Sequence, residues 1–292
     1  VSLVSRRIAL LFFVTSLGCH GAELRAGPAS ADAGARAGGR LDGASAVPPS
    51  AAPGAAAPEA SAPPAALACI AEHYVGEPLL RHEAWWLGLP DGSLVPYDDG
   101  RSKTDEERLD EPDVEDVLAL EYSTGPIAPV TDPAHDPGRR RISPLLRATY
   151  GADARAVSSA LVPVKLAGHT VFFHRRAAPA LERVASRIDA LLRVDPTLAR
   201  FFRELGGTFA ARAIAGTRRL SAHAWGIAID IDTSRADYWR DARGGGVWRN
   251  RIPESIVDAF EAEGFAWGGR WFHYDTMHFE WRPELFDPRC RP

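Results

Sequence analysis

Ser221-Ala222-His223-Ala224-Trp225-Gly226-Ile227-Ala228-Ile229-Asp230-Ile231-Asp232 is the stretch of this 292-residue chain on which its fold and chemistry turn. From Ile227 the side chains alternate, so Ile227, Ile229 and Ile231 share one face of a strand and Asp230 and Asp232 take the other. A carboxylate held in a buried strand costs about several kcal/mol unless something positive faces it. A divalent cation meets that need, and zinc accepts both imidazole nitrogen and carboxylate oxygen in a tetrahedral site. His223, on the loop seven residues before Asp230, offers the nitrogen.

A second strand carries the same pattern near the C-terminus. Met277, Phe279 and Trp281 alternate with His278 and Glu280, and His278 supplies a third ligand. Three protein ligands leave a fourth position open to water, the arrangement of a catalytic rather than a structural zinc. Hydrolysis also needs a base that takes the proton of this zinc-bound water without holding the metal. Asp275, three residues before His278, is the candidate. Glu280 is either a rival base or a partner that orients an imidazole. One buried histidine is more often a core residue than a ligand, but two such motifs together favour a metal site. Two histidines and a carboxylate also hold iron in non-haem oxygenases. That class places its first histidine and carboxylate closer together and needs no acid at Asp275. A non-catalytic binding module that keeps the zinc fold for recognition is a further alternative, against which the presence of Asp275 speaks.

These motifs resemble those of the LAS metallopeptidases, which include D-Ala-D-Ala carboxypeptidases and L-alanyl-D-glutamate endopeptidases. The family's Ser-x-His-x-x-Gly-x-Ala-x-Asp signature stands complete as Ser221, His223, Gly226, Ala228 and Asp230. Its acidic-x-x-His motif stands as Asp275 and His278, preceded by Trp267-Gly268-Gly269-Arg270-Trp271, which is similar to the endopeptidase branch. The resemblance runs from about Gly207 to Trp281. It implies a zinc peptidase acting on peptidoglycan peptides of the bacterial cell wall, with Zn2+ on His223, Asp230 and His278 and Asp275 as base. It also implies that an arginine on the strand before the signature holds substrate together with the signature serine. Arg212 and Ser221 match those roles, with Arg218 and Arg219 as alternatives to Arg212.

Outward from the motifs, the pattern predicts an α+β domain: a small, largely antiparallel sheet carrying the zinc ligands, flanked by helices near 180–205 and 253–263. Leu181, Val184, Ala185, Ile188, Leu191 and Leu192 recur at helical spacing. Asp195-Pro196 caps a second helix that stops at Gly206-Gly207. Hairpins are expected around Pro90-Asp91-Gly92 and around Gly168. The metal-site core is placed at 177–292, and 67–176 is expected to pack on it and wall the cleft. Trp225, Trp267, Trp271 and Trp281 are candidates for cleft or core, and His273 for the cleft or an exposed loop.

The first quarter of the chain reads differently. Arg6-Arg7, an apolar run over 8–17 and Gly18-Cys19 have the layout of a secretory signal peptide over 1–19, and Cys19 resembles the acylated cysteine of a lipoprotein. Residues 20–66, rich in Ala, Pro and Ser, bury nothing and form a tether. An exported protein is expected, periplasmic or anchored to the outer membrane, touching a membrane only through Cys19 and acting as a monomer. If Cys19 is acylated, Cys69 and Cys290 remain as a pair able to staple the ends of the folded region. A net charge of −4 gives no reason to expect nucleic acid as a partner. Arg139-Arg140-Arg141 is expected in a solvated loop, and the acidic stretch over 98–121 on an exposed surface rather than around calcium.

Overall fold

The computed structural model describes residues 62–214, 216–241 and 247–291. The expected signal peptide with Cys19, and the expected tether up to residue 61, lie outside the described residues. Among those described, no helix is long and apolar enough to cross a membrane.

The architecture is α+β, as the alternating and helical patterns predict. Helix α1 (Ala65–His73) is followed by an antiparallel meander of β1 (Glu77–Arg81), β2 (Ala84–Gly88) and β3 (Leu94–Pro96), whose β2–β3 turn holds Pro90-Asp91-Gly92. Two short helices follow, α2 (Asp105–Asp110) and α3 (Val114–Leu118). Each opens on a capping box, Thr104 with Glu107 and Asp113 with Asp116, which satisfies two backbone donors at each helix start. Helices α4 (Ser143–Tyr150) and α5 (Ala154–Ser159) lead to the hairpin of β4 (Leu161–Leu166) and β5 (His169–His174). Ala167 and Gly168 both have positive φ in its two-residue turn, the backbone that matches the twist of paired strands. The hairpin packs on α6 (Ala178–Val194), whose Leu181, Val184 and Ile188 are fully buried.

The expected second helix is a 3-10 helix over Pro196–Phe202. Asp195 caps it, Pro196 opens it, and Phe201 and Phe202 are buried from its last turn. The segment that carries Arg212 is not the strand that the resemblance implies. The backbone there bonds to the signature loop instead, Ala210 N to the His223 carbonyl at 3.1 Å and Ser221 N to the Arg212 carbonyl at 3.2 Å. A single bridge between Ala213 and Leu220 is the only ladder contact of that segment among the described residues.

The sheet that frames the chemistry is three-stranded and antiparallel, in the order β6 (Ala228–Asp230), β8 (His278–Trp281), β7 (Phe265–Trp267). Ile229 faces Phe279, and Phe279 stacks on Phe260 of α7 (Glu254–Glu261) at 4.1 Å between ring centres. This apolar face, with Ile227, Ile229 and Ile231 fully buried, anchors the strands so that their polar residues have fixed positions.

Two expectations for the N-terminal part are corrected. Arg139-Arg140-Arg141 is no solvated loop: Arg140 is 7% exposed and donates to the Asp116 carbonyl, while Arg141 pairs with the fully buried Glu280. A buried carboxylate retains such a guanidinium because each neutralises the other out of water. The acidic stretch is likewise not a bare exposed surface, since the buried Lys103 ammonium lies 2.8, 2.9 and 2.6 Å from Asp99, Asp113 and Asp116.

Cys69 of α1 and Cys290, on a 3-10 turn over Pro288–Cys290, are joined by a disulfide across 221 residues of sequence. So long a loop places the entropic gain at the upper end for disulfides. Cys69→Ser, kept free of metal by a chelator, is expected to lose about 2–5 kcal/mol in denaturant unfolding. An unchanged unfolding midpoint would show that the staple constrains little of the unfolded chain.

Candidate metal centre

The signature residues fall into two groups, those that bend the chain and those that face the cleft. Ser221 caps a 3-10 turn over Ala222–Trp225, its hydroxyl accepting from His223 N at 3.4 Å. Gly226 closes the turn with φ +64, and a Cβ there would come within 2.6 Å of Leu161 Cδ2. Left-handed backbone in so tight a space selects glycine. The turn feeds directly into β6, where Asp230 lies directly across from His278 of β8.

The result is a triangle of donor atoms. His223 Nε2 is 3.1 Å from Asp230 Oδ1 and 3.2 Å from His278 Nδ1, and His278 Nδ1 is 3.0 Å from Asp230 Oδ1. Both histidines are buried. Three lone-pair-bearing atoms at such spacing repel one another unless protons or a cation lie between them, and two nitrogens with one carboxylate oxygen suit a divalent cation. The residues therefore fit a metal ion.

The electrostatics agree. Burial alone would raise the Asp230 carboxyl, but hydrogen bonds with His223 and His278 outweigh it and hold Asp230 well below the usual carboxylate range. Burial alone would depress the His278 imidazole, but Asp230 and Glu280 outweigh it and push it up to about 10. His278 thus carries a proton in the metal-free fold throughout the neutral range, and a cation binding at Nδ1 must displace it. Metal affinity is expected to rise about tenfold per pH unit across neutrality, as read by competition with a chelator of known affinity. A flat profile would show that no ligand gives up a proton.

Glu280 settles into one of its two expected roles. Its Oε2 lies 3.0 Å from His278 Nε2, on the ring edge away from Asp230. Its carboxylate is also claimed by Arg141, with Nε at 3.2 Å, and by Arg282 at 3.1 Å. It is fully buried and does not line the cleft. Glu280 fixes the ring orientation of His278 and is not placed to take a proton from substrate water.

Asp275 lines the same cleft as the three donor residues. Its Oδ1 is buried with no hydrogen-bond partner among the described residues. Burial raises its carboxyl to about 6, against the lowering effect of His278. The backbone around it is pinned, Asp275 N donating to the Gly268 carbonyl at 3.0 Å. A Cβ at Gly268 would meet the Asp275 carbonyl oxygen at 2.4 Å, so glycine is required for this approach.

The cleft encloses about 280 Å³. Ser221 and Arg212 both line it, although Arg212 is not on a strand. The Arg212 side chain is exposed and makes no hydrogen bond or ion pair with a described residue. Neither alternative arginine reaches the cleft: Arg219 pairs with Glu106 at 3.0 Å and Asp110 at 2.7 Å, and Arg218 lines a separate hollow beside those two acids. Of the four tryptophans considered, Trp271 lines the cleft, while Trp225 and Trp267 are core. His273 is in the cleft, held by Asp136 at 2.6 Å. Sequence reading missed Tyr238, Trp239 and Arg139. Tyr238 and Trp239 carry no local signal, and arrive because their backbone pairs with 274–276. A wider hollow of about 420 Å³ beside β1–β3, lined by Leu79, Leu89 and Pro90 among others, holds no cluster of metal-ligating groups.

Residues 215–281 match a family model described as D-alanyl-D-alanine carboxypeptidase. No curated protein and no solved structure matches the chain. The matched residues contain both motifs, the whole of the sheet β6–β8–β7 and every donor atom of the triangle. The segment that carries the donor triangle is thus similar to a peptidase family, in line with the resemblance to the LAS metallopeptidases read from its motifs.

Proposed function

We propose that the chain is a zinc-dependent peptidase that hydrolyses peptide bonds in the short peptides of bacterial peptidoglycan. The observation that carries this is the convergence of His223, Asp230 and His278 in one cleft with Asp275, whose Oδ1 has no hydrogen-bond partner among the described residues, within the residues matched to the peptidase family. His223 Nε2, Asp230 Oδ1 and His278 Nδ1 would hold the ion. When bound, zinc polarises the scissile carbonyl and makes water more acidic.

The remaining chemistry belongs to the side chains. Asp275, whose buried Oδ1 has no hydrogen-bond partner among the described residues, accepts the proton of the attacking water and returns it to the departing amine. Glu280 keeps the His278 ring from rotating. Arg212 presents an unspent guanidinium to a substrate carboxylate beside Ser221. We place the enzyme outside the cytoplasm as a periplasmic or outer-membrane-anchored lipoprotein, on the strength of the N-terminal sequence and the Cys69–Cys290 disulfide.

Incubating the zinc-loaded protein with defined wall fragments and identifying products by mass spectrometry tests the reading. Release of terminal D-Ala marks a carboxypeptidase, a cut after the first L-Ala marks an endopeptidase, and intact fragments would refute both. Arg212→Lys offers a finer test, because lysine keeps the charge but cannot form two parallel hydrogen bonds with a carboxylate. It is expected to lower kcat/KM by about 1.5–3 kcal/mol while sparing zinc content and Tm. A lowered Tm with unchanged kcat/KM would make Arg212 a structural residue instead.

A further inference from the structure

Helix α1 and the C-terminal 3-10 turn bring together a second set of metal-ligating side chains, none of which lines the cleft. Cys69, His73, Asp287 and Cys290 each offer one ligand atom, and those atoms all lie within 4.8 Å of one another. Cys69 and His73 are four residues apart on α1 and so share a helix face. Asp287 caps the turn that ends at Cys290, its side chain accepting from Arg289 N. His73 Nε2 is 3.1 Å from Asp287 Oδ2. Both sulfurs are buried, while the imidazole and carboxylate sit at the rim, 23% and 15% exposed. A cation can therefore approach from the rim and find the sulfurs behind it.

We propose that this corner is a redox-dependent metal site: when the Cys69–Cys290 disulfide is reduced, Cys69, Cys290, His73 and Asp287 hold a thiophilic divalent cation such as zinc. A dithiol reductant delivers two electrons to the disulfide and becomes a disulfide itself, leaving two thiols. The cation then displaces the two thiol protons, and two thiolates, one imidazole and one carboxylate complete a closed tetrahedral set. The site has no open position, so its role is structural. Arg289, which pairs with Asp287 at 2.7 Å, is 58% exposed and also has Glu72 as a partner at 2.8 Å. The exposed guanidinium can keep Glu72 as its partner when a cation takes Asp287. The two ends of the folded region are then clamped by a covalent bond in oxidising conditions and by a metal in reducing ones. The proposal is independent of the peptidase reading, because it concerns the difference between two redox states.

Cobalt substitution separates this corner from the cleft, whose donors are nitrogen and oxygen only. Thiolate-to-cobalt charge-transfer absorption can arise from cysteine ligands and not from His223, Asp230 or His278. The oxidised protein is expected to lack that absorption. After treatment with a dithiol and its removal, the protein is expected to bind one additional cobalt and to show it. Cys69→Ser is expected to abolish the signal. Reduced His73→Ala, whose oxidised form retains the staple and reports folding by its Tm, is expected to bind the additional cobalt at least about tenfold more weakly. Equal cobalt content in the two redox states would overturn the proposal. So would undiminished affinity in reduced His73→Ala, which would leave a bare dithiol with no built site.

Discussion

His278→Ala is expected to release the zinc and reduce peptide hydrolysis to the background rate without enzyme. His278 stands opposite Asp230 in the β6–β8 register, and its Nδ1 is 3.0 and 3.2 Å from the other two donor atoms. Removing it leaves two protein ligands for an ion that catalytic sites hold with three. The fold is expected to survive, because Glu280, the carboxylate left behind, keeps Arg141 and Arg282 as partners. Metal content by elemental analysis, alongside Tm, is the decisive pair of measurements. Stoichiometric zinc retained in a folded His278→Ala protein would remove this residue from the ligand set.

Asp275→Asn is expected to keep the metal and lose about 10²–10⁴-fold in kcat/KM. Asparagine preserves the shape and the backbone bond to Gly268 but cannot accept a proton from water. No other carboxylate is placed to compensate. Among the described residues lining the cleft, the only carboxylates are Asp230 and Asp275, and Asp230 is occupied by the two histidines. Metal loss in this variant would mean that Asp275 helps hold the ion. Near-normal turnover with metal intact would pass proton transfer to another cleft group, of which His273 is the nearest in sequence.

Metal-centre residues and substrate residues differ in how far they could be read from the sequence, for a physical reason. The signature and the acidic-x-x-His motif are local devices. Ser221 caps, Gly226 reverses the chain, and strict alternation in β6 and β8 turns Asp230 and His278 to one side while the isoleucines and Phe279 go to the other. Each such rule acts over a few residues, so spacing together with the family resemblance was enough to single out the three donor residues and the adjacent acid that the structure brings to one cleft. The helical period of α6 and the turn residues of the two hairpins were legible on the same grounds. The 3-10 form of Pro196–Phe202 was not, since apolar spacing alone does not separate i→i+3 from i→i+4 bonding over so short a run.

What the sequence determined by itself was therefore the α+β class, the two strands that carry Asp230 and His278 and the residues able to meet at one ion. Tertiary structure decided everything that depends on which distant groups meet. It brought Arg141 from the N-terminal part to Glu280, turning an apparent surface charge into a buried ion pair and a possible base into the support of His278. It took Arg219 away to Glu106 and Asp110 and left the Arg212 guanidinium in the cleft with no hydrogen bond or ion pair to a described residue. It joined Cys69 to Cys290 and set His73 and Asp287 beside them. Alternation and capping are settled by neighbouring residues, whereas the partner of a long charged side chain or a cysteine is settled by packing across more than a hundred residues of chain.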